Sequence, residues 1–145
     1  MRAVVQRVSR ARVSVADETV SEIGPGLVVL ICAMDNETPD LSAWARRLCR
    51  LRVFSDEDGK MNKSLLDTSG SLLLVSQFTL SADMKKGLRP SFVRASAPAL
   101  AESQIAGLAE SCNELGVPTL TGAFGADMAV ELTNDGPVTI WIDKP

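Results

Sequence analysis

Two runs near the C-terminus decide the fold: Asp127-Met128-Ala129-Val130-Glu131-Leu132-Thr133 and Val138-Thr139-Ile140-Trp141-Ile142-Asp143. In the first, Met128, Val130 and Leu132 alternate with Asp127, Ala129, Glu131 and Thr133, the period of a strand with one buried face. Between the runs stands Asn134-Asp135-Gly136-Pro137, in which every residue supplies turn chemistry. The pattern predicts an antiparallel hairpin, with residues 127–133 pairing to 138–143 through the Gly-Pro turn. One residue is surplus. A two-residue Asn-Gly or Asp-Gly hairpin needs no proline, and Pro137 both removes a backbone donor and permits a cis peptide bond. The stretch reads as a rigid device built from main chain.

Outward from that pair, residues 2–8, 11–16, 19–23, 27–33, 51–54, 71–80 and 117–121 read as further strands, with Gly24-Pro25-Gly26 as a strong turn. Thr38-Pro39-Asp40 opens a helix, with a hydroxyl cap, a proline in the first position and an acid in the first turn. Leu41, Trp44, Ala45 and Leu48 form its apolar stripe, so Trp44 belongs to the core. Pro98 starts a longer helix whose Ile105, Leu108, Cys112 and Leu115 share a face, and Gly116 ends it. Many strands and two principal helices, out of βαβ rhythm, indicate an α+β fold. The expected architecture is mostly antiparallel sheets forming a barrel-like core.

The chain of 145 residues is long enough for one self-sufficient domain, residues 1–145. Its longest apolar run, residues 27–34, is too short to span a bilayer, and residues 1–5 lack the features of a signal peptide. A cytoplasmic protein that does not engage membranes is expected. Cys32, Cys49 and Cys112 lie in apolar segments and read as buried, reduced thiols.

Histidine is absent, which excludes Ser-His-Asp and Cys-His machinery and HExxH zinc sites. No CxxC pair, calcium loop, P-loop or dinucleotide fingerprint is present. Asp56-Glu57-Asp58-Gly59 reads as a solvated turn. Neither a metal nor a cofactor is expected, and if the protein is an enzyme it must work with hydroxyls, carboxylates, cations, backbone dipoles or groups of the substrate. The net charge of −3 argues against a protein that coats duplexes, and DNA is not an expected partner. Local basic clusters remain at Arg2, Arg7, Arg10 and Arg12, and at Lys85-Lys86-Gly87-Leu88-Arg89. A site gripping only the tip of a nucleic acid is compatible with an acidic whole.

Ser76-Gln77-Phe78-Thr79-Leu80 closes or continues an apolar strand. A strand end can offer two backbone N–H groups to a developing oxyanion. Thr79 could act as a nucleophile only beside an activating base, and no histidine exists to serve.

Taken with Met1-Arg2-Ala3-Val4-Val5-Gln6-Arg7-Val8, Gly59-Lys60-Met61-Asn62, Lys86-Gly87-Leu88-Arg89-Pro90-Ser91-Phe92, Gly122-Ala123-Phe124-Gly125-Ala126-Asp127-Met128 and the segment from Asn134 to Thr139, that motif resembles the D-aminoacyl-tRNA deacylases of bacterial and eukaryotic type. The matching segments keep the family's order over essentially the whole length. Leu88 departs from it, since many relatives carry a basic or polar residue there.

The resemblance implies an esterase that releases D-amino acids, and glycine from mischarged tRNA, from the tRNA 3′ end. It implies a homodimer in which a cis Gly-Pro motif of one subunit enters its partner's active site. Gly136 and Pro137 would then be the chiral filter, supported by Arg7, Asn134 and Met128. Ser76, Gln77, Phe78 and Thr79 would line the scissile ester, and Lys86, Gly87, Arg89, Pro90, Ser91 and Phe92 would shape the pocket for the terminal adenosine. Two other readings stay open: a non-catalytic dimer that binds nucleic-acid ends or a partner protein, and an esterase for small D-configured molecules.

Overall fold

The first fifteen residues set the frame. The computed structural model describes residues 1–85 and 87–144. In it, β1 runs unbroken over Arg2–Val15, where the alternation pattern suggests two strands. The pattern misleads because the buried side changes along the strand: Ala3 and Val5 point into one core cluster, while Val8, Ala11 and Val13 point into another. β2 (Glu18–Ile23) and β3 (Gly26–Cys32) pair antiparallel with successive parts of β1 along one edge.

The chain continues through α1 (Leu41–Cys49), a small hairpin of β4 (Phe54–Ser55) and β5 (Met61–Lys63), and the short α2 (Leu65–Thr68). Then come β6 (Ser71–Ser76), a 3-10 turn (Phe78–Ser81), α3 (Pro98–Glu114), β7 (Thr119–Thr121) and β8 (Ala129–Asp143). β6 is parallel to β3, and β7 is parallel to β6. The large sheet is therefore mixed, in the order β2-β1-β3-β6-β7, with β8 on the other edge of β1. Between β2 and β7, Ser21 Oγ donates to Thr121 O at 2.6 Å across the seam, so the sheet nearly closes on itself. The expected α+β fold with a barrel-like core and two principal helices is present.

The parallel strands explain the layering. Residues 27–31 and 72–75 are uninterrupted apolar runs, as strands buried on both faces should be. Leu27, Val29, Ile31, Leu72 and Leu74 pack beneath α1 and α3, against Trp44, Leu48, Leu108 and Cys112. Val28, Leu73 and Val75 face the barrel interior with Val8, Ala11, Val13 and Ile23. The Cys49 and Cys112 thiols interact between the helices, which pulls Cys49 down and, with burial, pushes Cys112 up. All three cysteines are free and buried.

Three local expectations change. The cap of α1 is Asp40 rather than Thr38: its carboxylate accepts from Ala43 N at 2.9 Å. Asp40 itself is extended, with φ −74° and ψ 97°, so the helix starts after it. β6 stops at Ser76 rather than running to residue 80. The third change concerns β8. Residues 127–133 and 138–143 do not pair with each other as a hairpin. Residues 129–143 form one strand, with Asp127 and Met128 outside it, and both of its parts pair with β1, from Arg2↔Asp143 to Gln6↔Thr139 and from Val8↔Asn134 to Ser14↔Ala129. At 14 residues β1 is long enough to receive both. Residues 135–138 are extruded opposite Arg7, and a proline in that loop removes no ladder donor.

Candidate active site

The parallel strands β3 and β6 end side by side, and beyond the carboxyl ends of parallel strands lies the usual crevice for a ligand. A cavity of about 740 Å³ opens there. Its floor is Ile31, Cys32, Ala33, Val75, Ser76 and Gln77, and the first turns of α3 contribute Pro98, Ala101 and Ile105. Phe78 and Phe92 form an edge-to-face pair, with centroids 5.1 Å apart at 79°, and both line the cavity. The opposite wall is Phe124, Gly125, Ala126, Asp127 and Met128. A Cβ on Gly122 would stand 2.7 Å from Met128 Sδ, so the glycine keeps room for that thioether.

The backbone turn at the cavity is specific in what it offers. Gln77 N donates to Ile31 O at 2.8 Å, extending the strand by one bond. Leu80 N and Ala82 N close the turn onto Gln77 O and Thr79 O. Among the described residues, the amides of Phe78 and Thr79 donate no hydrogen bond within the protein. Such orphan donors at the start of a helical turn are available to an anion. Of the three amides at residues 77–79, two are thus free for a ligand.

The Thr79 hydroxyl accepts a hydrogen bond from the Gln77 side-chain amide. An activated nucleophile needs an acceptor for its proton, and this partner is a donor. Cys32 lies beneath the turn with Sγ 3.6 Å from Phe78 O, and burial pushes its thiol up, which keeps it a neutral packing group.

The loop at residues 134–139 is a separate construction. Asn134 closes it from within: its side-chain oxygen accepts from Val138 N at 3.1 Å, and its amide donates to Thr139 Oγ1 at 3.0 Å. Arg7 holds it from outside, with Nε donating to Asp135 O at 3.0 Å and Nη1 to Val53 O. The Gly136–Pro137 peptide bond is cis, and Gly136 has φ +126°. A Cβ on Gly136 would meet Arg7 Nη2 at 2.8 Å and Val138 Cγ2 at 2.9 Å.

The structure therefore gathers Ser76, Gln77, Phe78, Phe92 and Met128 about one cavity and places Thr79 on its adjoining turn. It gathers Arg7, Asn134, Gly136 and Pro137 elsewhere: none of the four lines that cavity. Gly87, Arg89, Pro90 and Ser91 sit on an exposed loop, closed where Asp83 and Ser91 exchange backbone bonds of 2.8 and 3.0 Å. Lys86 lies outside the described residues. The basic cluster of β1 is not a free patch, since Arg2 and Arg7 are engaged with the backbone and Arg12 pairs with Glu131. The acidic turn is self-satisfied as well: Asp56 accepts from Asp58 N, Lys60 N and Asn62 Nδ2.

Sequence reasoning did not single out Cys32, Ser96, Ala101 or Phe124 as lining residues. They are small or apolar and carry no chemical signature. Only the arrival of four separate segments at one strand end reveals them.

Comparison with known proteins agrees with this geometry. The family described as D-Tyr-tRNA(Tyr) deacylase matches residues 4–143. The D-aminoacyl-tRNA deacylase of Cereibacter sphaeroides is 54% identical over 145 residues, 99% of this chain and 100% of that protein. That of Paracoccus denitrificans is 53% identical, covering 99% of this chain and 97% of that protein. Among solved structures, the c-Myc DNA Unwinding Element Binding Protein superposes with TM-score 0.93 at 42% identity, covering 100% of this chain and 99% of that one. A structure described as a probable eukaryotic D-amino acid tRNA deacylase shares the fold, with TM-score 0.81 at 15% identity over 97% of both chains. With its cavity at the end of β6, two unpaired amides on the following turn and relatives of this name over its full length, the chain belongs to the D-aminoacyl-tRNA deacylases, hydrolases that act on aminoacyl-tRNA.

Proposed function

We propose that this deacylase cleaves D-aminoacyl-tRNA and mischarged glycyl-tRNA as a cytoplasmic homodimer, with residues 1–145 acting as one unit and the Gly136-Pro137 loop of each subunit serving its partner's cavity. One observation carries the reading. The loop is braced by Arg7 and Asn134, yet it lines no part of its own subunit's cavity. A braced main-chain projection with nothing to fill at home is suited to a neighbour's site.

Around a bound α-carbon, D and L side chains point in different directions. A main-chain wall in the L direction rejects every L substrate by contact, whatever the side chain. Carbonyl oxygens on such a wall accept from the substrate ammonium, a charge-assisted bond. Glycine has nothing to clash and passes. Discrimination on the order of 10³ requires only about 4 kcal/mol.

For hydrolysis, the free amides of Phe78 and Thr79 receive the oxyanion, and the 2′-hydroxyl of the terminal ribose assists the attacking water. Gln77 bonded onto Thr79 Oγ1 supports leaving that hydroxyl out of nucleophilic duty. The cavity's aromatic pair and the loop around Phe92 suit a terminal adenosine. DNA is outside this reading, and the net charge of −3 supports contact with a tRNA tip rather than a duplex.

The test compares D-tyrosyl-, L-tyrosyl- and glycyl-tRNA by released amino acid. Release of D-tyrosine and glycine, with L-tyrosine spared at least a hundredfold, is expected. Equal release from small D-amino-acid esters would instead favour a general D-esterase. Normal cleavage of a tRNA ending in 2′-deoxyadenosine would refute substrate assistance. Loss of single-turnover hydrolysis in Thr79→Ala, with tRNA binding intact, would restore threonine to direct catalysis.

A further inference from the structure

Arg2 is spent in an unusual way for a charged residue beside an active site. It lies on β1, and its Nη1 donates to Leu80 O at 3.2 Å, inside the 3-10 turn that carries the Phe78 and Thr79 amides. On its other side the guanidinium lies over the Trp141 ring at 5.9 Å, with Nε facing Asp143 Oδ2 at 3.6 Å. Nε itself is shielded from solvent and makes no hydrogen bond. At 3.6 Å the carboxylate attracts but does not bond. A buried, unbonded guanidinium N–H is costly, and such a group in a folded protein calls for an explanation.

Geometry supplies one. The turn's backbone is tied to the sheet at Gln77 N, through Ile31 O, but its far end has few strand bonds to fix it. The bond from Arg2 reaches that far end. Trp141 and Asp143, both on β8, hold the guanidinium where it can make this one bond at the expense of an ideal ion pair.

We infer that Arg2 is a positioning residue for hydrolysis: clamped between Trp141 and Asp143, it fixes the Phe78–Ser81 turn through Leu80 O, and thereby the two amides that receive the oxyanion. The inference rests on the proposed role of that turn. Donors aimed at a developing charge act only within a narrow distance, so a small rotation of the turn slows chemistry and leaves tRNA binding nearly unchanged.

The experiment uses D-tyrosyl-tRNA in single turnover with Arg2→Met, Arg2→Lys and Trp141→Leu, measuring the rate constant at saturation and the half-saturating concentration separately. Arg2→Met keeps the apolar stem and is expected to lose on the order of tenfold in rate, with half-saturation changed less than twofold. Arg2→Lys retains a donor for Leu80 O and is expected to recover at least half of the logarithmic loss. Trp141→Leu is expected to lose less alone, and to add nothing to Arg2→Met in the double variant. A loss in half-saturation with the rate intact would mean that Arg2 contacts tRNA instead. A rate within twofold of wild type in Arg2→Met would overturn the inference, as would equal losses in Arg2→Met and Arg2→Lys. If Arg2→Met does not fold, Trp141→Leu decides: a rate lowered more than twofold with half-saturation unchanged supports the inference, and a rate within twofold of wild type overturns it. Wild-type enzyme inactive on D-tyrosyl-tRNA would refute the parent reading, an outcome distinct from all of these.

Discussion

Gly136→Ala tests the proposed filter loop at its tightest point. At φ +126° an L residue is strained by about 1–3 kcal/mol before any contact is counted. The added methyl would also lie 2.8 Å from Arg7 Nη2, 2.9 Å from Val138 Cγ2 and 3.2 Å from Val138 N. The last two belong to the loop's own short return into β8 and have little freedom to retreat. Arg7 can move, but its side chain is anchored on Asp135 O and Val53 O, and losing one such charged bond costs about 1.5–3 kcal/mol. Partial relief of each effect leaves a net destabilisation of about 2–4 kcal/mol, or roughly 5–15 °C in midpoint for a chain of this size. Thermal unfolding by circular dichroism reads that number, and amino-acid release from paired D- and L-tyrosyl-tRNA reads the filter. The variant should cleave the D substrate more slowly and lose most of its L rejection. A midpoint within 2 °C of wild type, with the D/L ratio unchanged, would refute both the steric argument and the filter assignment.

Other consequences are simpler. Gly26→Ala places a Cβ 1.9 Å from Ser71 O, where β3 and β6 run together, so the variant should be recovered unfolded or aggregated on expression and size exclusion. Asp40→Ala removes the α1 cap and should cost about 1 kcal/mol in urea unfolding, with deacylation unaffected. The Asp67 carboxyl is held below its usual range, first by the Ser64 hydroxyl and then by the Ser64 backbone amide. A depressed carboxylate stabilises above its unfolded pKa and loses that contribution as pH falls through the folded value. Asp67→Asn should therefore be less stable than wild type at neutral pH, and the gap should close below about pH 4 in an acid titration.

Much of this architecture was legible because apolar period and burial coincide. Trp44 and Leu48 point into the core from the stripe that announces α1, and Pro98 begins α3 where its fixed backbone suits a first turn. What escaped depends on which neighbour a strand chooses. Nothing local to residues 127–143 says that β1, more than a hundred residues earlier, outcompetes the hairpin. Nor does a lone apolar run reveal that β3 and β6 are parallel. Two motifs, at residues 76–80 and 134–139, were legible as candidates for the site. No local pattern says that they lie apart within one subunit, and only the resemblance implied it, because a sequence motif carries no direction. Arg2 and Arg12 likewise look alike as cations in a row, while one is turned inward onto Leu80 and the other outward onto Glu131.

The extruded loop of β8 also has a counting rule built into it. From Arg2 to Gln6 paired residue numbers sum to 145, as in Gln6 and Thr139; Val8 and Asn134 sum to 142, and from Arg10 to Ser14 the sum is 143, as in Ala11 and Leu132. Across both irregularities, at Arg7 and between Val8 and Arg10, the net difference, 145 − 143, is two, an even number. Side chains of a strand alternate with period two, so an even offset leaves Val130, Leu132, Val138, Ile140 and Ile142 all on the inward side. A slip of one residue in the pairing of either half with β1, as opposed to a change absorbed in the extruded loop, would turn that half inside out, sending Trp141 toward the core and Ile142 toward water. A slip of two would keep the phase. The two irregularities thus compensate each other, and the strand keeps one buried face on both sides of the extruded loop.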